Sequence, residues 1–172
     1  MPFTPFHFGP GAAIKAAVPH LFSLRAFILC QIVIDSEVAW HLARGTKPLH
    51  GFFHTYLGVS CAMILTGVLL VCYNHGLKLW HQAWPIRKLE NCGKVFLLRP
   101  SLIAILVGGL SHVLLDSFMH NDMQPLYPIS IGNPLLETIS IDRLHEICLA
   151  SFVAAVVIWY FRELFSQIKR NE

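Results

Sequence analysis

The chain has 172 residues, of which 55% are hydrophobic and only 13% are charged. Soluble domains carry roughly 25% charged residues, so this composition excludes an ordinary soluble domain and indicates a membrane protein. The net charge of +3 is small and the basic residues lie mostly between apolar segments, so no nucleic-acid partner is expected. The five cysteines show no paired spacing, and we expect neither a disulfide framework nor a thiolate zinc site.

Four apolar stretches approach the roughly 20 residues that a helix needs to span a bilayer. They predict an all-α, polytopic membrane protein with about four transmembrane helices in a single helical domain over residues 1–172. The spans are expected at about residues 22–42, 51–73, 101–119 and 144–161.

The N-terminal segment contains three prolines in its first ten residues and then a short helical stretch, residues 12–18, which Pro19 ends. It lacks the basic start and uninterrupted apolar core of a cleavable signal peptide, so we expect it to be retained. His7 by itself would be an ordinary surface histidine. It can approach the other polar groups only if the short helix is re-entrant or crosses the membrane obliquely.

The second half of the first span carries Asp35, Glu37 and His41. At about 100° per residue, Glu37 is turned about 200° from Asp35 and aligns with His41. The structural interpretation of Glu37 is therefore an ion pair with His41 near the interface. Asp35 lies deeper, and the cost of placing a carboxylate in hydrocarbon predicts a functional role for it.

The second span begins near His50 and His54, which are four residues apart if the helix begins by Leu49. We expect His54 to lie just inside the helix in either case. Two histidines at this spacing can chelate one metal, although such pairs are also common without one. The following residues, 75–99, are basic and contain tryptophans, which predicts an amphipathic segment on the membrane surface rather than a catalytic one.

The strongest pattern ends the third span, where His112, Asp116 and His120 fall in one file along a helix. Burying these groups in hydrocarbon is expensive unless they meet each other, a cation or water. The pattern therefore predicts a stripe of metal ligands. Prolines in residues 121–134 prevent the helix from continuing, and this segment is expected to form an ordered cap over the stripe.

The last span starts near residue 144, and either Ser140 or Asp142 can serve as its N-cap. His145 at this start either points into the same site or simply occupies the helix surface.

The distribution of charge predicts which ends of the spans share a side. The basic connection at residues 78–99 and the basic tail are expected in the cytoplasm, although Arg44 and Lys47 count against this orientation. The outer half of the membrane then holds the end of the first and third spans and the start of the second and fourth. One outward-facing pocket can collect the polar residues at those ends, which are Asp35, His50, His54, His112, Asp116, His120 and His145.

These motifs resemble those of the membrane-bound metal-dependent hydrolases of the bacterial inner membrane, typified by the YdjM-like proteins. The resemblance covers most of the chain. The commoner family form has an Asp-x-Asp pair preceded by Pro, where this chain has Ile34 before Asp35 and Glu37, and an Arg where it has Gly51. The matching elements are His7 with Gly9, the acidic pair Asp35-Ser-Glu37, the H-x-x-x-H-T of residues 50–55, the G-x-x-S-H-x-x-L-D of residues 108–116, and Tyr127-Pro128.

The resemblance implies a divalent metal and a hydrolytic reaction. Its implied ligands are His7, Asp35, His54, His112 and Asp116. Imidazoles and carboxylates without thiolates suit zinc, with manganese and iron as alternatives. A bound divalent metal lowers the pKa of its water to about 7, which supplies a nucleophile at neutral pH.

Further roles are expected for the other polar residues at this end. Glu37 or Asp122 would act as a general base or hold a second metal, while His50, His120 and His145 form a second tier of candidate ligands. Because the pocket faces the outer leaflet, membrane lipid is the expected partner, and hydrolysis of a lipid-like ester or phosphoester is the leading hypothesis. The alternatives are a metal-ion or proton transporter, which the apolar inner halves of the spans disfavour, and a scaffold stapled by a structural metal.

Overall fold

The computed structural model describes residues 4–83 and 98–171, and in these residues it contains helices and turns but no strand. Four of its helices, α2 to α5, are long and apolar enough to cross a membrane, which confirms the predicted fold class. The helices are α1 (Phe8–Ala17), α2 (Leu24–Arg44), α3 (Tyr56–Ala83), α4 (Leu98–Ser117) and α5 (Ile141–Asn171).

The core of the bundle lies between α2, α3 and α4, which pack against one another. Its centre is built from apolar side chains, among them Phe27, Ala104 and Val113, all fully buried. The chain alternates in direction through these helices, so the ends of α2 and α4 lie together with the start of α3. The start of α2 meets that of α4 at the opposite end, where the Ser23 amide donates to the Pro100 carbonyl.

The N-terminal helix α1 links α5 to the bundle. At 10 residues it is about 15 Å long, too short to cross a bilayer. Gly9 allows the close packing on α5, because a Cβ at Gly9 would lie 2.3 Å from the Cys148 carbonyl oxygen. The helix runs in the same direction as α5, and Arg162 donates a hydrogen bond to the carbonyl of Ala17 at its far end. The helix therefore descends along α5, which is one of the courses that the sequence left open for it.

The second transmembrane helix in the bundle, α3, begins later than the sequence pattern suggests. His54 belongs to a short 3-10 turn, Phe52–His54, and Thr55 is extended with φ −101° and ψ 156°. The Thr55 hydroxyl then accepts a hydrogen bond from the Gly58 amide and caps α3. The prediction that His54 lies inside this helix is therefore wrong, because the capping threonine separates the two.

The helical file of His112, Asp116 and His120 is also interrupted. Helix α4 ends at Ser117, so His120 lies in the turn that follows it. The capping segment closes this end: the Asn133 amide group donates to the carbonyls of Ser117 and His120 at 2.7 and 3.2 Å. The capping segment also contacts α3, since the Tyr56 amide donates a hydrogen bond to the carbonyl of the buried Pro125.

Two further predictions concern helix ends. Ser140 caps α5, since its hydroxyl accepts the Arg143 amide at 3.4 Å. The basic surface segment expected from residue 75 does not begin there, because α3 continues to Ala83. Most of that segment, residues 84–97, lies outside the described residues.

Candidate metal centre

Four side chains from three parts of the fold meet where α2 and α4 end and α3 begins. Each offers one ligand atom, and these atoms all lie within 4.8 Å of one another. His54 and His112 are fully buried and Asp116 is 3% exposed, whereas the Asp35 side chain keeps a quarter of its surface accessible. The group is Asp35, His54, His112 and Asp116.

The spacing of these atoms suits a small divalent cation. The Nε2 atom of His112 lies 3.3 Å from Asp35 Oδ1 and 3.1 Å from Asp116 Oδ2. The Nε2 atom of His54 lies 3.7 and 3.8 Å from the same two oxygens. A tetrahedral zinc site with bonds of about 2.0–2.1 Å separates its ligand atoms by about 3.3 Å. The four side chains therefore need only small adjustments to share one ion.

His112 is oriented by a residue that the sequence analysis did not assign to the site. The side-chain oxygen of Gln31 accepts a hydrogen bond from Nδ1 of His112, and the Gln31 amide group donates to the Gly108 carbonyl at 3.2 Å. This leaves Nε2 of His112 as the unprotonated nitrogen that faces the carboxylates. The available signal was a glutamine in an apolar span, one turn before Asp35.

His54 is oriented in the same way by Glu37. The Oε2 atom of Glu37 lies 3.1 Å from Nδ1 of His54 and also accepts the Phe53 amide at 2.9 Å. Glu37 therefore contacts Nδ1 of His54, whereas Asp35 faces Nε2 of the same ring. The expected pair between Glu37 and His41 does not form, because His41 contacts Thr46 instead. A general-base role for Glu37 stays a prediction, and its contacts favour positioning of His54.

His7 reaches the cluster from the N-terminal segment. Its Nε2 atom lies 3.1 Å from Asp116 Oδ1, and its ring stacks on that of His112 with centroids 4.6 Å apart. His145 behaves differently, since its ring stacks on Phe6 with centroids 4.5 Å apart. The described contacts thus place His145 beside the N-terminal segment rather than at the carboxylates.

His50, His120 and Asp122 form a second group beside the first. The rings of His50 and His120 stack with centroids 3.8 Å apart, and Nδ1 of His50 lies 2.8 Å from Asp122 Oδ1. Burial acts to raise the pKa of Asp122, but hydrogen bonds from His50 and the Leu49 amide hold it below its ordinary value. Burial lowers the pKa of His120 to about 4, which favours the neutral imidazole that a metal ligand must be.

Several buried atoms of the cluster have no hydrogen-bond partner within the described residues. They are Nδ1 of His7, Nε2 of His54, Nε2 of His112 and Oδ1 of Asp116. Buried polar atoms are normally paired, and unpaired imidazole nitrogens facing carboxylate oxygens are the donor set that a divalent metal prefers. The residues of this site therefore fit a metal ion.

The fold and the cluster together define a polytopic helical membrane protein with a candidate metal centre at one end of its bundle. The family model described as YdjM inner membrane protein matches residues 7–168, and the chain belongs to this family. Membership confirms the resemblance to YdjM-like proteins and the inner-membrane assignment. No curated protein and no solved structure matches the chain.

Proposed function

We propose that the protein is a metal-dependent hydrolase of the inner membrane that acts on a lipid-like ester or phosphoester. The observation that carries this proposal is the convergence of two carboxylates and two imidazoles whose Nε2 atoms have no hydrogen-bond partner among the described residues. Such a site is expensive to bury in a membrane protein unless it has a function.

Asp35, His54, His112 and Asp116 would hold the metal, with zinc as the first candidate. A divalent metal in this position supplies a Lewis acid and a water whose pKa is lowered to about 7. Gln31 and Glu37 fix the ring orientations of the two histidines, which keeps their Nε2 lone pairs directed inward.

A cavity beside the site supports an approach from the surface. A cavity of about 200 Å³ lies at the same end of the bundle, and His50, Asp122 and Tyr127 are among its lining residues. His50 also borders the cluster, where its ring contacts that of His54 at 4.9 Å between centroids. A polar head group could enter here, and Asp122 is placed to contact it.

The depth of the site favours an amphiphilic substrate. His112 lies five residues before the end of α4, and Asp35 nine residues before the end of α2. At 1.5 Å per residue these positions are about 8 and 14 Å below the helix ends. A lipid could therefore present its linkage to the cluster while its chains stay in the bilayer.

The test combines metal analysis with activity. Detergent-purified wild type should retain a divalent metal and hydrolyse a member of a panel of phospholipids, lipid phosphates and acyl esters. Asp116→Asn keeps the side-chain shape but weakens a ligand, so turnover should fall by orders of magnitude while the protein stays folded. Asp142→Asn, an exposed position at the start of α5, is the matched control. Wild type that holds metal but hydrolyses nothing and moves the ion across vesicles would make the protein a transporter.

We also propose that the cluster faces the outer side of the membrane and that the C-terminus is cytoplasmic. The support is the charge of the tail, where Arg162, Lys169 and Arg170 lie at the end opposite the cluster. Cysteines introduced at Ile131 and Asn171 can be labelled with an impermeant reagent in intact cells, with wild type as control. Labelling at Ile131 alone is expected, and labelling at Asn171 alone would reverse the orientation.

A further inference from the structure

The two carboxylate oxygens of Asp116 face different sets of histidines. Oδ2 lies 3.1 Å from Nε2 of His112 and 3.8 Å from Nε2 of His54. Oδ1 lies 3.1 Å from Nε2 of His7 and 3.8 Å from Nε2 of His120. Oδ1 is buried and has no hydrogen-bond partner among the described residues, although two imidazoles lie next to it.

A second group of ligand atoms surrounds this oxygen. His50, Asp116 and His120 each offer one atom, and these atoms lie within 4.8 Å of one another. The side chains of His50 and His120 are 10% and 16% exposed, so they are less deeply buried than those of His54 and His112. This lesser burial is expected for a weaker position nearer the surface.

His50 is prepared for coordination as the histidines of the first group are. Asp122 Oδ1 holds Nδ1 of His50 at 2.8 Å, so Nε2 is the nitrogen left available. Asp122 is itself fixed, because its Oδ2 accepts the amides of Leu49 and His50 at 2.9 and 3.2 Å. A histidine that binds a metal through one ring nitrogen usually donates its other ring N–H to a carboxylate, which fixes the ring orientation. His120 of this pair also lies 3.8 Å from Asp116 Oδ1, which has no hydrogen-bond partner among the described residues.

We propose that Asp116 bridges two divalent cations, the second held by His50 and His120, with His7 beside the same oxygen. This inference rests on the proposed metal centre and extends it from one ion to two. Within the proposed substrate class it favours phosphoesters over acyl esters. Paired ions about 3.5–4 Å apart suit in-line displacement at phosphorus, where charge develops on both the attacking and the leaving oxygen.

The test counts ions and does not depend on turnover. Apo protein is titrated with Mn²⁺ and followed by electron paramagnetic resonance, with elemental analysis of the protein after removal of free ion. Wild type should take up two equivalents, and the second should convert an isolated Mn²⁺ signal into an exchange-coupled one. His50→Gln and His120→Gln should each stop at one equivalent and show no coupling. His20→Gln, at an exposed position near the opposite end of the bundle, is the matched control and should keep two.

The outcomes separate the two proposals. One equivalent in wild type, retained in His50→Gln and lost in His112→Ala, would overturn the second position and leave the first intact. No bound ion in wild type would overturn both. Two coupled ions without hydrolysis of any phosphoester would support the second position and contradict the phosphoester substrate class, and the hydrolase assignment would fall only if the acyl esters also stayed intact. Because the wild-type titration alone distinguishes one ion from two, a variant that fails to fold does not affect the result.

Discussion

The two halves of the bundle differ in how many polar and ionisable side chains they bury. At the end where α2 and α4 finish, buried imidazoles and carboxylates lie within 4 Å of one another and retain unpaired atoms. In the other half the buried residues are mainly apolar, such as Phe22 and Phe27, and the exception is Ser101, whose buried hydroxyl also lacks a partner among the described residues. Thr66 is buried between the two halves, and its hydroxyl donates a hydrogen bond to the Ala62 carbonyl of its own helix.

This difference bears on function. A transporter needs polar groups along the whole crossing, and within residues 4–83 and 98–171 the buried ionisable side chains lie at one end only. A structural metal would not by itself account for the adjoining cavity lined by His50 and Asp122. The contrast favours a reaction centre that opens to one side.

The strongest challenge to this contrast is a carboxylate placed in the apolar half. Ala104 is fully buried in the core between α2, α3 and α4. Ala104→Asp should destabilise the protein by about 3–5 kcal/mol, because the new charge has no cation or imidazole to meet. Thermal unfolding in detergent measures this, with Ala104→Ser as the matched control of smaller effect. An unchanged melting temperature would show that this half tolerates charge.

A smaller effect is expected from the loss of the hydrogen bond that orients His112 in the polar half. Gln31→Leu keeps the size of a buried side chain but removes the acceptor that orients His112. Metal affinity should fall about 10–100-fold, as is usual when the outer partner of a ligand is lost. Competition with a chromogenic chelator gives the dissociation constant. Gln167→Leu, on the exposed tail of α5, should leave it unchanged, and equal affinity in Gln31→Leu would remove Gln31 from the site.

An effect of similar size concerns the attachment of α1. A valine at Gly9 would meet the Cys148 carbonyl, so α1 must shift away from α5 and carry His7 away from Asp116. Gly9→Val should lower stability by about 1–3 kcal/mol, the usual result of overpacking. Gly67→Val on α3 is the matched control, since a Cβ there meets nothing within 4 Å. Equal melting temperatures for the two variants would show that α1 is not held by this contact.

The sequence predicted much of the fold because a helix that spans a bilayer needs a long apolar segment. Each of the four predicted spans is matched by a helix. The alternating direction of the spans also predicted that the polar residues of the ends would meet. Helix boundaries were less predictable. The capping contact of Thr55 lies outside any periodic pattern, so His54 was placed in a helix that in fact begins at Tyr56.

The order of residues along each helix is enough to predict which residue types stand at which depth, since depth follows from residue number. The folded structure is needed to show how the ligand atoms are shared. It brings His7 to Asp116, assigns Asp35 and Glu37 to opposite nitrogens of His54, and directs the two oxygens of Asp116 toward different histidines. These relations depend on how α1 packs against α5 and on side-chain orientation at the helix ends, which neither spacing nor periodicity encodes.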